Sequence, residues 1–259
     1  MLQALYERGI RPDFLVGTSA GALNAAFAAF RPPTEDTALE LQEIWRQLRR
    51  SQVFPPNPLR AGLGVLGLRN HSVSAGALRR LIRRCVSADR IEDADVPLHV
   101  VTFDVLTGEE VLLSSGPLVE ALLASASIPG VFPPVEWEGR LLADGGVVNN
   151  CPISHAVELG ADRVIVMPAM GSQRLSEAPR SALAAGVRAV SRAIGRRLEQ
   201  DIDFYSRVVE LTVLPSPSLE GVLPTDFSHA EELIQYATWE ARRALRRATR
   251  PRVQLRRVA

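Results

Sequence analysis

The sequence lacks lysine entirely, because all 30 basic residues among its 259 amino acids are arginines. This absence excludes enzymes that form a Schiff base through a lysine, and phosphate-binding loops that require one. The two cysteines, Cys85 and Cys151, are too few for a disulfide framework or a zinc site and are typical of a reducing compartment. No run reaches the roughly 18 apolar residues that a membrane-spanning helix needs.

Neither sign of charge is in excess. The 30 arginines are balanced by 29 acidic residues, so the net charge is +1 and no nucleic-acid partner is expected. Hydrophobic residues make up 46% of the sequence and charged residues 23%, which excludes disordered and fibrous classes. Residues 1–8 do not show the basic and then apolar pattern of a signal peptide. We therefore expect a cytoplasmic globular protein.

Strand-like apolar runs alternate with helical patterns along most of the chain. Helices are predicted over residues 1–9, 20–30, 37–50, 75–86, 118–126, 153–159, 181–205 and 226–249. Strands are predicted over residues 14–16, 98–103, 110–113, 135–137, 141–142, 163–167 and 208–214, with hairpins at 98–113 and 135–142. This alternation predicts an α/β fold whose central sheet is mostly parallel and flanked by helices. With neither repeat nor linker, the chain is predicted to be one domain over residues 1–259.

A serine bracketed by glycines stands where the first predicted strand meets an alanine-rich helix. In this Gly17-x-Ser19-x-Gly21 pattern, a strand-turn-helix setting strains the serine backbone, and the glycines provide clearance for the turn. The start of the helix places the N–H groups of Ala20 and Gly21 where a developing oxyanion is stabilised. Ser19 is therefore a candidate nucleophile. The alternative is an ordinary connection in which Ser19 only caps the helix.

The serine needs a base, and Asp144-Gly145-Gly146 provides a candidate. A carboxylate at the end of a strand, followed by two glycines, lies in a turn that another loop can approach closely. Held against Ser19, Asp144 takes the hydroxyl proton directly and forms a dyad without histidine. Burial has to raise the pKa of Asp144 for this to work near neutral pH. The alternative is an aspartate that bonds only its own backbone.

Histidine offers a competing set of bases. His71 lies in an irregular stretch and His99 inside a strand, whereas His155 and His229 lie on predicted helices. A serine triad with His155 or His229 therefore stays open as an alternative. A cysteine nucleophile at Cys151 with His155 as its base is a weaker one, and Cys151 is expected to be a small buried residue.

Three stretches carry a resemblance to a known family: GTSAGALNA (17–25), SASIPGVFPP (125–134) and DGGVVNNCP (144–152). Together they resemble the patatin-like phospholipases of bacterial type, over about residues 1–170. The resemblance implies a three-layer fold and hydrolysis of lipid acyl esters by Ser19 and Asp144, without metal or organic cofactor. It also implies that Pro129 and the prolines at 133–134 stiffen a loop that holds the hairpin leading to Asp144.

The resemblance further implies a strand and a glycine-rich oxyanion loop that would precede residue 1, because residues 1–5 resemble the middle of the helix after that loop. Two interpretations stay open: the natural chain is longer, or the protein is an impaired relative that binds lipid without turning it over. Asn149 and Asn150 are expected to satisfy backbone groups around the Asp144 turn, with a hold on Asp144 as an alternative, and to cap the next helix.

Two segments suggest contact with a lipid surface. The apolar residues within 53–68 fit a mobile lid over Ser19, with packing against the body as the alternative. The tail at 242–259 has eight arginines and no acid, which fits either anionic lipid headgroups or a solvated helix face. The expected partners are thus a lipid acyl ester and, peripherally, the inner face of a membrane.

Overall fold

A computed structural model describes residues 1–55, 71–86, 88–169, 182–217 and 226–248. The helices are α1 (Leu2–Tyr6), α2 (Ala20–Ala29), α3 (Glu35–Gln47), α4 (Arg50–Val53), α5 (Gly76–Cys85), α6 (Leu118–Ser125), α7 (Ile153–Glu158), α8 (Ala182–Tyr205) and α9 (Ala230–Ala248). The strands are β1 (Leu15–Thr18), β2 (Leu98–Asp104), β3 (Glu110–Leu113), β4 (Val135–Trp137), β5 (Arg140–Asp144), β6 (Arg163–Val166) and β7 (Glu210–Val213). Most predicted elements are present with boundaries shifted by a few residues.

The central sheet is mixed, so the prediction of a mostly parallel sheet is wrong in this respect. Strand β2 pairs in parallel with β1, but antiparallel with β3 and with β5, and β4 and β5 are also antiparallel. Strands β6 and β7 form a separate parallel pair. The two hairpins were predicted from their local patterns, but the direction of β5 against β2 depends on contacts between distant segments, which no local pattern contains.

Strands β1 and β5 share one edge of β2 and run towards each other along it. The last residue of β1, Thr18, pairs with Val101, and the last residue of β5, Asp144, pairs with the neighbouring Thr102. Strand β3 overlaps both partners in register and therefore occupies the opposite edge of β2. The ends of two strands that are far apart in the sequence thus meet at adjacent residues of β2, and this meeting point holds the candidate site.

Helices cover both faces of the sheet, as the predicted fold class requires. Consecutive residues of β1 face opposite sides: Leu15 packs against the large core with α2, α5 and α6, whereas Val16 packs against α7, α8 and the β6–β7 pair. The alanines of α2 at 22, 26 and 29 are fully buried, and such small side chains let the helix lie close to the strand. The prediction of an alanine-rich helix over 20–30 is confirmed.

The two segments with predicted lipid contact are only partly described. Within 53–68, Val53 is buried at the end of α4, and the ring of Phe54 stacks on that of Phe132 with centroids 5.5 Å apart. These two residues therefore pack against the body, and residues 56–68 lie outside the described part. In the tail, α9 extends to Ala248, and residues 249–259 also lie outside it. Among the described helices, none is both long and apolar enough to cross a membrane.

Candidate active site

Ser19 stands at a strained turn between β1 and α2. Its φ of 55° and ψ of −127° lie in a region that a residue with a Cβ atom rarely adopts, and residues held in such regions cost about 1–3 kcal/mol. The strained conformation exposes the side chain at the top of the turn, at the first turn of α2. The predicted elbow is therefore present in the backbone geometry, although Ser19 makes no side-chain hydrogen bond that caps the helix.

The two glycines of the elbow are not equivalent. A Cβ atom on Gly17 would lie 2.6 Å from Cα of Ala22, because the first turn of α2 packs directly on the strand. A Cβ atom on Gly21 would meet nothing within 4 Å, and Gly21 is exposed. The predicted need for clearance thus holds at Gly17 and is wrong at Gly21, whose side faces open space.

The Asp144 turn is held by its own backbone and by β2. The Asp144 Oδ1 atom accepts a hydrogen bond of 2.8 Å from the N–H of Gly146. Gly145 lies so close to β2 that a Cβ atom there would be 2.6 Å from the carbonyl oxygen of Val101. With a φ of −57°, Asp144 is unstrained, and its residue surface is only 5% exposed. The glycine pair thus allows the turn to press against the centre of the sheet.

The hydroxyl and the carboxylate meet where the two strands end. Ser19 donates a hydrogen bond of 2.6 Å from Oγ to Oδ2 of Asp144. Burial raises the pKa of Asp144 to about 6, although the hydrogen bonds from Ser19 and Gly146 partly oppose this rise. At neutral pH the carboxylate is therefore mostly ionised yet far more basic than an exposed aspartate, which is the state in which it accepts a proton from the hydroxyl.

Comparison with known proteins shows the family to which the two turns belong. The patatin-like phospholipase family matches residues 1–157, which include both turns. The chain belongs to this family. Two uncharacterized NTE family proteins of Mycobacterium tuberculosis are similar to it, with 32% identity over 181 residues and 31% over 154. Human patatin-like phospholipase domain-containing protein 6 is 30% identical over 175 residues.

These alignments cover the larger part of this chain and a smaller part of each relative. They include 67% and 58% of this chain for the mycobacterial proteins and 67% for the human protein. The covered shares of the relatives are 45%, 24% and 12% in the same order. The chain therefore spans less than half the length of the relatives it matches, and the family membership rests on the part that contains both turns.

The oxyanion donors that the described residues offer are those of the helix start. The N–H groups of Ala20 and Gly21 begin α2, where no preceding helical turn supplies carbonyl acceptors. The carbonyl oxygen of Ser19 already accepts from the next two N–H groups, those of Ala22 and Leu23, at 2.9 and 3.2 Å. Ala20 and Gly21 are therefore the available donors of this turn for a negatively charged oxygen that develops next to Ser19.

The structure brings neither candidate histidine to the serine. The Nε2 atom of His155 lies 3.0 Å from Oε2 of Glu110, and its Nδ1 atom 3.2 Å from Oε2 of Glu158. His229 directly precedes α9, and its ring lies 3.5 Å from the carboxylate of Glu232 in the first turn of that helix. The predicted alternative of a serine triad therefore has no contact in the described part of the chain that supports it.

The cysteine alternative fails on acidity. Burial, reinforced by the negative charge of Asp201, raises the pKa of the Cys151 thiol to about 11. At neutral pH a thiol with this pKa is almost entirely protonated. Very little of the thiolate, the form that reacts as a nucleophile, is therefore present. Cys151 is half-buried, whereas it was predicted to be buried.

Asn149 links the Asp144 turn to its surroundings but does not cap α7, because the cap position is Pro152 and no side chain caps it. The predicted capping is therefore wrong. Instead, the Asn149 side-chain amide donates to Oε2 of Glu110 at 2.9 Å and to Oγ of Ser154 at 3.0 Å. The main-chain carbonyl oxygen of Asn149 accepts a hydrogen bond of 3.0 Å from the hydroxyl of Thr18, the residue before Ser19.

The other support residues lie around the same turn. The side chain of Asn150 lies close to Gly146. A Cβ atom on Gly146 would be 3.0 Å from the Oδ1 atom of Asn150. Pro129 is exposed and lies in a turn after the end of α6. The role predicted for Pro129 stays a prediction.

A cavity of about 220 Å³ adjoins the Asp144 turn on the side of α8. Its lining residues are Gly146, Val147, Val148, Asn150, Ala193, Ile194 and Arg197. Arg197 is paired with Glu110 at 3.1 Å and with Asp201 at 3.3 Å, so its charge is largely balanced. The cavity is therefore a mainly apolar space beside Gly146, whose N–H group binds the Asp144 carboxylate, and one of its walls comes from a helix beyond the residues that match the family.

Sequence reasoning missed three polar residues that touch the site. Thr18, Ser125 and Ser127 all form hydrogen bonds with the two turns, and Ser125 and Ser127 are fully buried. A signal for the two serines was present, since both belong to the matching stretch at 125–134. Their role was not visible because it depends on how the end of α6 lies against β1 and β5.

Proposed function

We propose that the chain is a serine acyl hydrolase that cleaves acyl esters of lipids, with Ser19 as the nucleophile and Asp144 as the general base. The observation that carries the proposal is the hydrogen bond of 2.6 Å from the hydroxyl of a serine at a strained elbow to a buried carboxylate. Membership of the patatin-like phospholipase family supports the class of reaction.

In the first half-reaction, the Ser19 hydroxyl attacks the carbonyl carbon of the ester while its proton passes to Oδ2 of Asp144. The carbonyl oxygen becomes an oxyanion, which the N–H groups at the start of α2 stabilise. The tetrahedral intermediate then collapses, the bond to the alcohol oxygen breaks, and Asp144 returns its proton to the leaving alcohol. An acyl ester of Ser19 remains.

In the second half-reaction, Asp144 accepts a proton from water, and the resulting hydroxide attacks the acyl ester. Collapse of this second intermediate releases the carboxylic acid and returns the proton to Ser19. The raised pKa of Asp144, about 6, suits both directions of proton transfer, because the carboxylate is ionised at neutral pH and still basic enough to take a proton.

The cavity beside the Asp144 turn supports a substrate with an apolar part. Four of its lining residues, Val147, Val148, Ala193 and Ile194, have aliphatic side chains, and its wall at Gly146 directly contacts the carboxylate of Asp144. We assign this space to the start of the acyl chain, since apolar surface favours hydrocarbon over water.

The experiment uses the 259-residue chain with p-nitrophenyl butyrate. We expect Ser19→Ala and Asp144→Asn each to lower kcat by at least about 10³-fold, because each removes an essential partner of the proton transfer. The rate of the unaltered chain should be half-maximal near pH 6, where half of the Asp144 carboxyl groups are ionised, and should level off about one pH unit higher. A fluorophosphonate probe should label Ser19 and no other residue.

Two variants serve as controls. His229→Gln removes an exposed histidine that pairs with Glu232 and should leave kcat unchanged. His155→Gln tests the triad alternative, and a loss as large as that of Ser19→Ala would contradict the dyad. Unchanged turnover in both Ser19→Ala and Asp144→Asn would contradict it as well.

A second function is favoured by one observation, the small number of oxyanion donors among the described residues, those of Ala20 and Gly21. Losing an oxyanion donor typically lowers kcat by about 10²–10³-fold. A chain that binds phospholipid vesicles but shows neither turnover nor fluorophosphonate labelling of Ser19 would therefore be a lipid-binding protein with an impaired site.

A further inference from the structure

The nucleophile is held by its main chain as well as by its side chain. The N–H group of Ser19 donates a hydrogen bond of 2.9 Å to the hydroxyl oxygen of Ser125, at the end of α6. The same hydroxyl donates its own proton to the carbonyl oxygen of Val101 on β2, at 2.7 Å. Ser125 has no exposed surface, so no water competes for either bond. The elbow is thereby tied to the centre of the sheet through one hydroxyl group.

The base is held by the same segment, two residues further along. The main-chain N–H of Asp144 donates a hydrogen bond of 3.0 Å to the carbonyl oxygen of Ser127. The Ser127 hydroxyl in turn donates to the carbonyl oxygen of Leu123, one helical turn earlier, at 2.7 Å. The second bond fastens Ser127 to the end of α6, so the carbonyl that holds Asp144 and the hydroxyl that holds Ser19 belong to one rigid piece of backbone.

We propose that residues 125–127, the last residue of α6 and the two that follow it, set the distance between nucleophile and base, and that Ser125 is a positioning residue for the reaction. This inference rests on the proposed function, because it assigns to the segment the alignment of the Ser19 and Asp144 pair. Ser125 touches neither substrate nor reacting atoms in this role, and it acts through the backbone of Ser19.

The strain at Ser19 explains why such a hold is needed. A residue with a φ of 55° relaxes towards negative φ unless its surroundings prevent it. Without the Ser125 hydroxyl, the N–H of Ser19 loses its acceptor and the turn loses one of the contacts that oppose relaxation. A rotation at this position swings the Ser19 side chain away from Oδ2 of Asp144. Misplacement by about 1 Å lowers a rate by up to about 10²-fold.

The first test replaces the hydroxyl in a pair of variants of equal size. Ser125→Thr keeps the hydroxyl and Ser125→Val replaces it with a methyl group, so both add the same bulk to a buried site. With p-nitrophenyl butyrate, we expect kcat of Ser125→Val to be about tenfold or more below that of Ser125→Thr, with KM equal within about twofold. Ser125→Ala should likewise lower kcat by about 10–10²-fold without raising KM.

Thr37→Val is the matched control for the loss of a buried hydroxyl. Thr37 is 4% exposed, and its hydroxyl donates to the carbonyl oxygen of Pro32 at the start of α3, away from both turns. It should lose stability and keep its kcat. Equal kcat values for Ser125→Thr and Ser125→Val would overturn the proposal, and so would a Ser125→Ala variant whose kcat matches that of Thr37→Val.

A crystal structure of Ser125→Ala separates this inference from the proposed function. If the inference is right, Ser19 leaves its positive φ, or its Oγ moves beyond about 3.5 Å from Oδ2 of Asp144. A distance that stays at 2.6 Å with φ unchanged would overturn the inference even for an active enzyme. Absence of Ser19-dependent turnover in the unaltered chain would instead contradict the proposed function, while the crystal structure still decides the positioning.

Discussion

The two turns that meet at the candidate site differ in how they are held. The elbow at Ser19 is strained, with a φ of 55°, and half-buried, and its neighbours restrain it through Gly17 and Ser125. The turn at Asp144 is unstrained, with a φ of −57°, and its own Gly146 N–H binds the carboxylate. At Asp144 the unfavourable free energy comes from the burial of a charge, whereas at Ser19 it comes from the strained backbone conformation.

This difference shows two ways of preparing a reactive group. Strain fixes the direction of the Ser19 hydroxyl, because a positive φ points the side chain out of the turn. Burial changes the basicity of the carboxylate without bending its backbone. Each turn therefore opposes the stability of the fold by a different mechanism, and substitutions at the two turns should separate these mechanisms.

The largest effect is expected where the buried charge is removed. Because the pKa of Asp144 is raised from 3.8 to about 6 in the folded protein, the folded state binds more protons than the unfolded state between these values. The contribution of Asp144 to the free energy of unfolding therefore falls as pH rises through this window, by about 3 kcal/mol in total. Asp144→Asn removes the titrating carboxyl group. Between pH 3.5 and pH 7.5, the free energy of unfolding of the variant should therefore increase relative to that of the unaltered chain, as measured by urea unfolding.

Asp203→Asn is the control for that comparison, because Asp203 is an exposed aspartate near the end of α8, paired with Arg207. This variant shows what the loss of one exposed carboxylate outside the site does to stability at each pH. A flat difference for Asp144→Asn would mean that burial does not raise the basicity of this carboxylate.

An intermediate effect is expected at the glycines of the elbow. Gly17→Ala brings a methyl group to 2.6 Å from Cα of Ala22, a backbone atom that cannot move aside, so the variant should lose about 1–3 kcal/mol. Gly21→Ala places its methyl group in open space on a helix, where alanine is preferred over glycine by up to about 1 kcal/mol. Urea unfolding of the two variants should therefore give changes of opposite sign. Equal losses would contradict the unequal roles of the two glycines.

The smallest effect is expected from relief of the strain. Ser19→Gly and Ser19→Ala both remove the hydroxyl, but only alanine keeps a Cβ atom at positive φ. The glycine variant should be more stable than the alanine variant by about 1 kcal/mol in thermal or urea unfolding. Glu138, on the β4–β5 hairpin, also has a positive φ of 49°, and Glu138→Gly against Glu138→Ala should give a similar difference. Equal stability of the two Ser19 variants would mean that the elbow stores no strain.

Much of the secondary structure could be predicted, because helices and strands follow from local patterns. The helix after Ser19 and both hairpins were found from apolar spacing and from glycines at the turns. The contact of Ser19 with Asp144 was also hypothesised from two motifs 125 residues apart, through what the bracketing glycines allow a turn to do. Their catalytic roles stay predictions that the variants above will test.

The rest could not be predicted because it depends on register and direction between distant strands. The central sheet was predicted to be mostly parallel, yet β5 runs antiparallel to β2. The same geometry explains the missed contacts of Ser125 and Ser127, since the end of α6 reaches the site only after β1 and β5 have met on one edge of β2. A histidine base was kept as an alternative because the position of the last helices was unknown.

The amino-acid sequence by itself determined the two turns of the candidate site, since glycines at 17, 145 and 146 and the neighbouring apolar runs impose a sharp bend after each strand. The tertiary structure alone decided that these bends face each other, because the ends of β1 and β5 meet only when both strands pair with the same edge of β2. It also decided the basicity of the carboxylate, because the exclusion of water around Asp144 depends on packing from several segments that are remote in the chain.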